Sequence, residues 1–551
     1  MDAFSASLMA DKREIVFAPT VYKFQTFAQM AEEFQLNERD VVLTNEFIYT
    51  PFMKELGLKC SFVFQEKFGA GEPSEAMIQT MYDAIPYDSY DRVIAVGGGA
   101  IMDLCKLLGC KRPDSVHELY YKRFPVVHEK DVIAIPTTCG TGSECTNISV
   151  AIVKTEIDGQ LTGGETKLGL VSDDIIPNKV CLIPELIKTL PYKPFACSAI
   201  DALVHATESF LSPHRKTITS EMFSVKAMDM ILKGFKLIDE KGQDARFEYL
   251  DEFVTASFFA GIAFLKAGCG PVHGMSFPLG GTYHVPHGES NYMLFGAILR
   301  YYDRNDPNGE IMKFKRLVAD ITGCQAENAI GYLCDLLQRI LPLRPLRDCG
   351  FTEADFKAFP LSVEANQQRL MTNAYYPFDL AAEEEIYRAV NRAEPSLIRT
   401  EADELTYSLH IMVRYELEKA LMQGTLTVAD LPAAWNAKYK EYLGVDVPDD
   451  THGCLQDIHW AMGDMGYFPS YALGSAYSAQ AVDDLRKTMD LDAQWAEGNM
   501  QPLKDALRSR VWQYGRAKEP QWLVQSLCGG AFDAAHYTNY LKNKYTELYG
   551  L

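Results

Sequence analysis

Hydrophobic and polar positions follow two different periods along this chain. Between residues 40 and 138, short apolar runs alternate with amphipathic stretches. "DVVLTN" (40–45), "CSFVFQ" (60–65), "DRVIAVGGG" (91–99) and "DVIAIPTT" (131–138) are rich in Val and Ile and bounded by polar residues, Gly or Pro. That pattern predicts buried strands. "SEAMIQTMYDAI" (74–85) and "AIMDLCKLLGC" (100–110) have helical spacing instead. Strands alternating with helices predict βαβ units and a parallel sheet, hence an α/β domain over residues 1–187.

From about residue 188 the helical period takes over. "PFACSAIDALVHATESFL", "ITSEMFSVKAMDMILKGFKLI" and "FEYLDEFVTASFFAGIAFLKAG" predict an all-α domain over 188–387. The remainder, 388–551, is helical too but differs in composition. All five tryptophans lie beyond residue 400, and eleven of the thirteen cysteines lie before it. This shift predicts a separate helical extension.

The formal charge of −21 argues against nucleic acid or an anionic membrane as partner through long-range attraction. The first residues have no basic stretch followed by an apolar core, and no run of about 18 apolar residues occurs. Neither a signal peptide nor a membrane span is expected. No C-x-x-C pair occurs, so reduced thiols in a cytoplasmic protein are expected.

Several motifs carry candidate chemistry. "VIAVGGGAIMDLCKLLG" reads as a strand, a triple glycine and a helix start, so Gly97, Gly98 and Gly99 suit a dinucleotide phosphate. The spacing is not G-x-G-x-x-G, and a plain tight turn fits it as well. "IPTTCGTGSE" (135–144) gathers Thr137, Thr138, Thr141 and Ser143 around two glycines. These hydroxyls suit ribose, phosphate or the nicotinamide amide, or simply a helix-capping loop. Asp201 and His205 are four residues apart in a helical segment and share one face. "CGPVHGMSFPLGGTYHVPHGES" (269–290) adds His273, His284 and His287. Two of these three with Asp201 and His205 would give an N₃O ligand set for Fe²⁺ or Zn²⁺, a Lewis acid for a carbonyl or alcohol oxygen. Spacing does not decide which two.

Together these motifs resemble the iron-containing (group III) alcohol dehydrogenase family over roughly residues 10–387. The family's G-G-G-S-x-x-D-x-x-K motif is present as Gly97–Ala100 with Asp103 and Lys106, and its P-T-T-x-G-T-G-S-E motif is complete at Pro136–Glu144. The resemblance implies a dinucleotide-binding α/β domain followed by an all-α metal domain, the dehydroquinate synthase-like architecture, with the site in the cleft between them. It implies Asp201, His205, His273 and His287 as ligands of Fe²⁺ or Zn²⁺. It implies NAD(H) held by Asn45, Gly97, Gly98, Gly99, Asp103, Thr137, Thr138, Thr141 and Lys167, in a homodimer or larger homo-oligomer. "VYKFQTFAQM", "LTNEFIYTPF" and "GGTYHVPHGESNY" resemble members that act on 4-hydroxybutyrate. The implied reaction interconverts 4-hydroxybutyrate and succinate semialdehyde; a broader primary-alcohol dehydrogenase or aldehyde reductase is the alternative.

The chain departs from the family pattern in three places. Phe277 stands where many members carry a further histidine, which leaves His284 as the candidate proton relay. Ala100 replaces the motif serine. Asn45, followed by Glu46, stands where many members have an Asp that accepts the adenosine ribose hydroxyls, so NADP is possible beside NAD. A substrate carboxylate needs a cation, and Lys193 and Lys266 are the candidates by position in the sequence.

The extension resembles the C-terminal part of the thermostable-type zinc carboxypeptidases (M32). "PSLIRTEADELTYSLHIMVRYELEKAL" and "GCLQDIHWAMGDMGYFPSYALGSAYSAQ" carry the likeness. It implies that Arg399 and His459 lie near that family's substrate site. The H-E-x-x-H helix, which supplies two zinc ligands and the general base, is absent. The expectation is a metal-free fragment without peptidase activity, with orphaned apolar faces and poor packing at the junction.

Overall fold

The structure is a computed structural model that describes residues 19–549, except 70, 158–159, 345, 353, 391–392, 394 and 497–498. The chain divides into two compact units, Met1–Asn391 and Arg392–Leu551. The junction, where poor packing is expected, includes residues 391–392 and 394 and lies there outside the described residues.

The first unit starts with a six-stranded sheet: β1 (Thr20–Lys23), β2 (Asp40–Thr44), β3 (Ser61–Phe64), β4 (Arg92–Gly97), β5 (Asp131–Pro136) and β8 (Lys179–Leu182). Its order is β1-β8-β5-β4-β2-β3, and every pair is parallel. β6 (Ile148–Ile157) and β7 (Gln160–Val171) form a separate antiparallel hairpin. The parallel sheet explains the continuous apolar runs, since β2 is buried at all five positions and β4 and β5 at all but their first. Phe27, Met30, Val42, Ile94, Ile133 and Leu186 form part of one core. Each such buried side chain contributes about 1.5–3 kcal/mol by its transfer from water.

Two loops at the carboxyl edge of the sheet build half of the site. After β4, α1 (Gly99–Leu108) starts from Gly98. A Cβ on Gly97 would lie 2.4 Å from the Ile101 side chain, so only glycine lets the helix start this close to the strand. Asp103 and Lys106 then bind α1 to the threonine-rich loop after β5. Lys106 Nζ, fully buried, donates to Ser143 Oγ (2.7 Å) and to the Ile148 carbonyl (2.7 Å). Asp103 accepts from Ser143 Oγ (2.5 Å) and from the Val150 N–H (2.9 Å). The loop and the hairpin are thereby fixed to one helix.

The rest of the first unit is helical. α2 (Tyr192–Leu211), α3 (Ile218–Lys241), α4 (Leu250–Ala267), α5 (Pro271–Tyr283) and α6 (His287–Asn305) follow in order. α2 is buried almost continuously from Phe195 to Leu211 and packs against α3, α4 and α6. A helix buried on all sides can hold polar groups only where they are partnered. The halves meet closely at Gly142, which has φ +59°, and a Cβ there would lie 2.5 Å from the Gly261 Cα of α4. Among the described residues no single helix is long and apolar enough to cross a membrane.

The second unit packs the helices Glu404–Met422 and Leu431–Leu443 around Val413, Leu417, Trp435, Tyr439 and Leu443. Arg399 and Arg414 are buried and both pair with Asp457, at 2.7 and 2.5 Å. His459 Nε2 meets the Tyr471 hydroxyl at 3.0 Å. Arg399 is therefore occupied inside the fold. Leu455, Ile458 and Met462 stand exposed at 65–70%.

Candidate active site

Asp201 and His205 sit one turn apart on α2, His273 two residues into α5, and His287 at the start of α6. One donor atom from each falls within 4.8 Å of the others. His205 Nε2 and His273 Nε2 are 2.9 Å apart. Asp201 is oriented by the amide of Asn291, which donates to its Oδ1 at 2.7 Å and lies 3.1 Å from His273 Nε2 and 3.3 Å from His287 Nε2. Glu208, one turn beyond His205, accepts from His273 Nδ1 at 2.6 Å and from the Val272 N–H at 2.7 Å. A carboxylate on the far nitrogen of an imidazole fixes its tautomer and turns its other nitrogen toward the cluster.

Against its burial, Cys269 and Glu208 raise the pKa of His273, while the other two imidazoles shift the opposite way. Burial pushes the His205 pKa down to about 3 against the pull of Asp201, and burial lowers His287 likewise. Both imidazoles are neutral, the form that ligates. His205 Nδ1 is buried without a hydrogen-bond partner among the described residues. One imidazole nitrogen from each of His205, His273 and His287, with the Asp201 carboxylate, makes the donor set of a divalent ion. The residues present fit a metal.

The cluster opens into a cavity of about 280 Å³. Its α/β wall includes Gly99, Asp103, Thr141, Ser143 and Lys167; its helical wall includes Arg215, Phe264, Phe277 and Arg369 with His205, His273 and His287. A Cβ on Gly99 would lie 3.0 Å from Thr141, so a side chain at 99 would narrow this wall. Lys167 is already matched by Glu72 at 2.6 Å. Gly97, Gly98, Thr137 and Thr138 lie beside the cavity at the ends of β4 and β5 and do not line it. Asn45 lies farther along the same edge, at the end of β2.

Three expected residues are elsewhere. His284 is exposed, in the left-handed conformation that ends α5, and is not on the cavity wall. It lies outside the cavity that His205, His273 and His287 line. Lys193 is paired with Glu289 and lines a different cavity. Lys266 is buried on α4, and its neighbour Leu265 faces the cavity instead. The cations on the wall are Lys167, Arg215 and Arg369. Sequence reasoning missed Glu208, Asn291 and both arginines. Asn291 follows His287 by one turn, a spacing that could have flagged it.

This fold and metal cluster define a class that the comparisons match directly. Residues 19–184 match the family model "Iron-containing alcohol dehydrogenase", and residues 195–391 match "Fe-containing alcohol dehydrogenase family, C-terminal". The chain belongs to the iron-containing alcohol dehydrogenase family. It is 45% identical over 361 residues to 4-hydroxybutyrate dehydrogenase of Clostridium kluyveri, covering 66% of this chain and 95% of that one. The solved sulfoacetaldehyde reductase from Bifidobacterium kashiwanohense, in complex with NAD⁺, shares the fold, with a TM-score of 0.58 at 21% identity over 69% of this chain and 99% of its own. Residues 364–545 match "Carboxypeptidase Taq (M32) metallopeptidase". There the chain is 44% identical to Carboxypeptidase 1 of Bacillus subtilis over 167 residues, 30% of this chain, and spans only 33% of that protein's length.

Proposed function

We propose that the first unit is a metal-dependent, NAD(H)-linked dehydrogenase that interconverts 4-hydroxybutyrate and succinate semialdehyde. The observation that carries this reading is one cavity lined by His205, His273 and His287 of the four-residue cluster, a dinucleotide loop and two arginines. The 45% identity to the Clostridium kluyveri enzyme supports the substrate. A divalent ion held by Asp201, His205, His273 and His287 would supply Lewis-acid polarisation of the substrate oxygen, and a bound nicotinamide would supply the hydride chemistry.

The chain's own residues do the positioning. Asp201, His205, His273 and His287 present the donor atoms, while Glu208 and Asn291 hold them in orientation. Phe264 and Phe277 keep water from the reacting end. Phe264 also stacks on His205 with ring centroids 4.5 Å apart. Arg215 and Arg369 meet the substrate carboxylate. Arg215 Nη1 would lie 2.2 Å from a Cβ on Gly268, in the turn leading to His273. Leu370, next to Arg369, would lie 3.3 Å from a Cβ on Gly274, the residue after His273. Arg215 therefore stands beside the turn before His273, and both arginines line the cavity that His205, His273 and His287 line.

The thirteen free cysteines fit a reducing, cytoplasmic setting. A homo-oligomeric assembly belongs to the same reading, and light scattering on the purified chain checks it. With NAD⁺, kcat/KM for 4-hydroxybutyrate should exceed that for 1-butanol by about 30-fold, the worth of one charge-assisted carboxylate contact. Equal values for the two would favour the broader alcohol dehydrogenase. The second unit takes no part in this chemistry: a chain ended after Asn391 should keep the same kcat/KM, and loss of activity in a folded truncation would contradict that. No hydrolysis of C-terminal residues from peptides is expected, with or without added zinc.

A further inference from the structure

We propose that Glu66 sets the preference of this enzyme for NAD over NADP, supplying from β3 the negative charge that position 45 lacks. The inference rests on the reading of the first unit as a nicotinamide-dependent dehydrogenase, and the order of the sheet carries it.

The carboxyl ends of β5, β4, β2 and β3 lie side by side in that order. The metal cavity is walled by Thr141 and Ser143, after β5, and by Gly99, after β4. The nicotinamide must reach that cavity, so it lies on the β5 side. The glycine turn and N-terminus of α1, after β4, take the pyrophosphate. An extended dinucleotide then carries its adenosine in the opposite direction, over the ends of β2 and β3. Thr44, the last residue of β2, pairs with Val96 of β4 on one side and with Phe64 of β3 on the other. The residues that follow, Asn45 and Gln65–Glu66, stand where the adenosine ribose arrives.

Asn45 cannot supply a charge, but its side chain positions one. Its Nδ2 donates to Glu66 Oε1 at 3.1 Å, and the Glu46 N–H donates to the same oxygen at 3.1 Å. The exposed Glu66 carboxylate is thus held from the β2 side at the end of the neighbouring strand. Held there, it can accept from a ribose 2′-hydroxyl, and it repels a 2′-phosphate. The nearby cation Lys67 lies over the Phe64 ring, 5.3 Å from its centroid. An amide at 45 and an acid at 66 together do what one acid at the end of β2 would do alone.

The test is binding, read by calorimetry with NADH and NADPH on the full-length protein. The wild type should bind NADH more tightly by about 30-fold, the scale of a like charge placed against the phosphate. Glu66→Gln and Glu66→Ala should each bring the two affinities to within about threefold, by weakening NADH and strengthening NADPH. Adding Asn45→Asp to Glu66→Gln should restore the preference for NADH. Glu46→Gln, which keeps the backbone donor, should leave the ratio near that of the wild type. An unchanged ratio in both Glu66 variants would overturn the proposal, as would a collapse caused by Glu46→Gln instead. A wild-type protein that binds neither nucleotide would overturn the underlying reading, which is a different result from binding without discrimination.

Discussion

Asp201→Ala should strip the enzyme of its metal. Asp201 is the only anionic donor among the four, and it is buried against two imidazoles that burial keeps neutral. Without it a divalent ion would face three uncharged ligands in a dry pocket, with nothing to offset its desolvation. Changes to groups that only orient ligands cost roughly 10–100-fold in metal affinity, and loss of the charged ligand itself should exceed that. Purified Asp201→Ala should retain less than a tenth of the wild-type metal after gel filtration, measured by atomic emission. Glu208→Gln, which keeps the shape but weakens the hold on His273 Nδ1, should fall between the two. Full metal content in Asp201→Ala would show that the ion binds elsewhere.

The second large effect concerns substrate choice. If Arg215 and Arg369 receive the carboxylate, replacing both with Gln should cut the ratio of kcat/KM for 4-hydroxybutyrate to that for 1-butanol by about 30-fold, and each single replacement by less. The loss should fall mainly on KM, because the carboxylate is held alike in the ground and transition states. Turnover of 1-butanol in the same samples serves as the control for folding. Lys193→Ala should leave the ratio near the wild-type value, since Lys193 is engaged with Glu289 and lines another cavity. Parallel losses on both substrates in the arginine variants would place the carboxylate contact elsewhere.

Much of this site could be read from the sequence, and what could not has physical causes. The strands β2, β4 and β5 announced themselves because each is buried on both faces and ends at a turn signal, whereas β3, at the sheet edge, is only partly buried. β1 and β8 are only four residues each, too short to show a period, and they exist by pairing with strands distant in the chain. Asp201 and His205 were legible as a pair because one helix fixes their spacing. The three downstream histidines were not separable by spacing. A left-handed backbone at the end of α5 separates them by turning His284 outward. The lysine candidates failed for the same kind of reason: nearness in sequence to a ligand says nothing about which way a helical side chain points. Arg369 lies about a hundred residues beyond His273, and only tertiary packing brings it to the cavity wall.

The second unit shows the opposite balance. Its sequence likeness is strong, yet it spans a third of the carboxypeptidase it resembles. Its buried Arg399–Asp457–Arg414 network is satisfied internally. Among the described residues, the groupings of potential metal ligands all belong to the first unit. Leu455, Ile458 and Met462 are exposed in it.

One metal ion per chain, at the Asp201–His205–His273–His287 cluster, should make this protein an NADH-dependent reductase of succinate semialdehyde. The most direct measurement is an anaerobic titration of metal-free protein with Fe²⁺, and separately Zn²⁺, while following NADH oxidation by succinate semialdehyde. Metal-free protein should show no turnover, and activity should saturate at one equivalent of at least one of the two ions. Turnover in the metal-free protein, or none with either ion, would contradict this expectation.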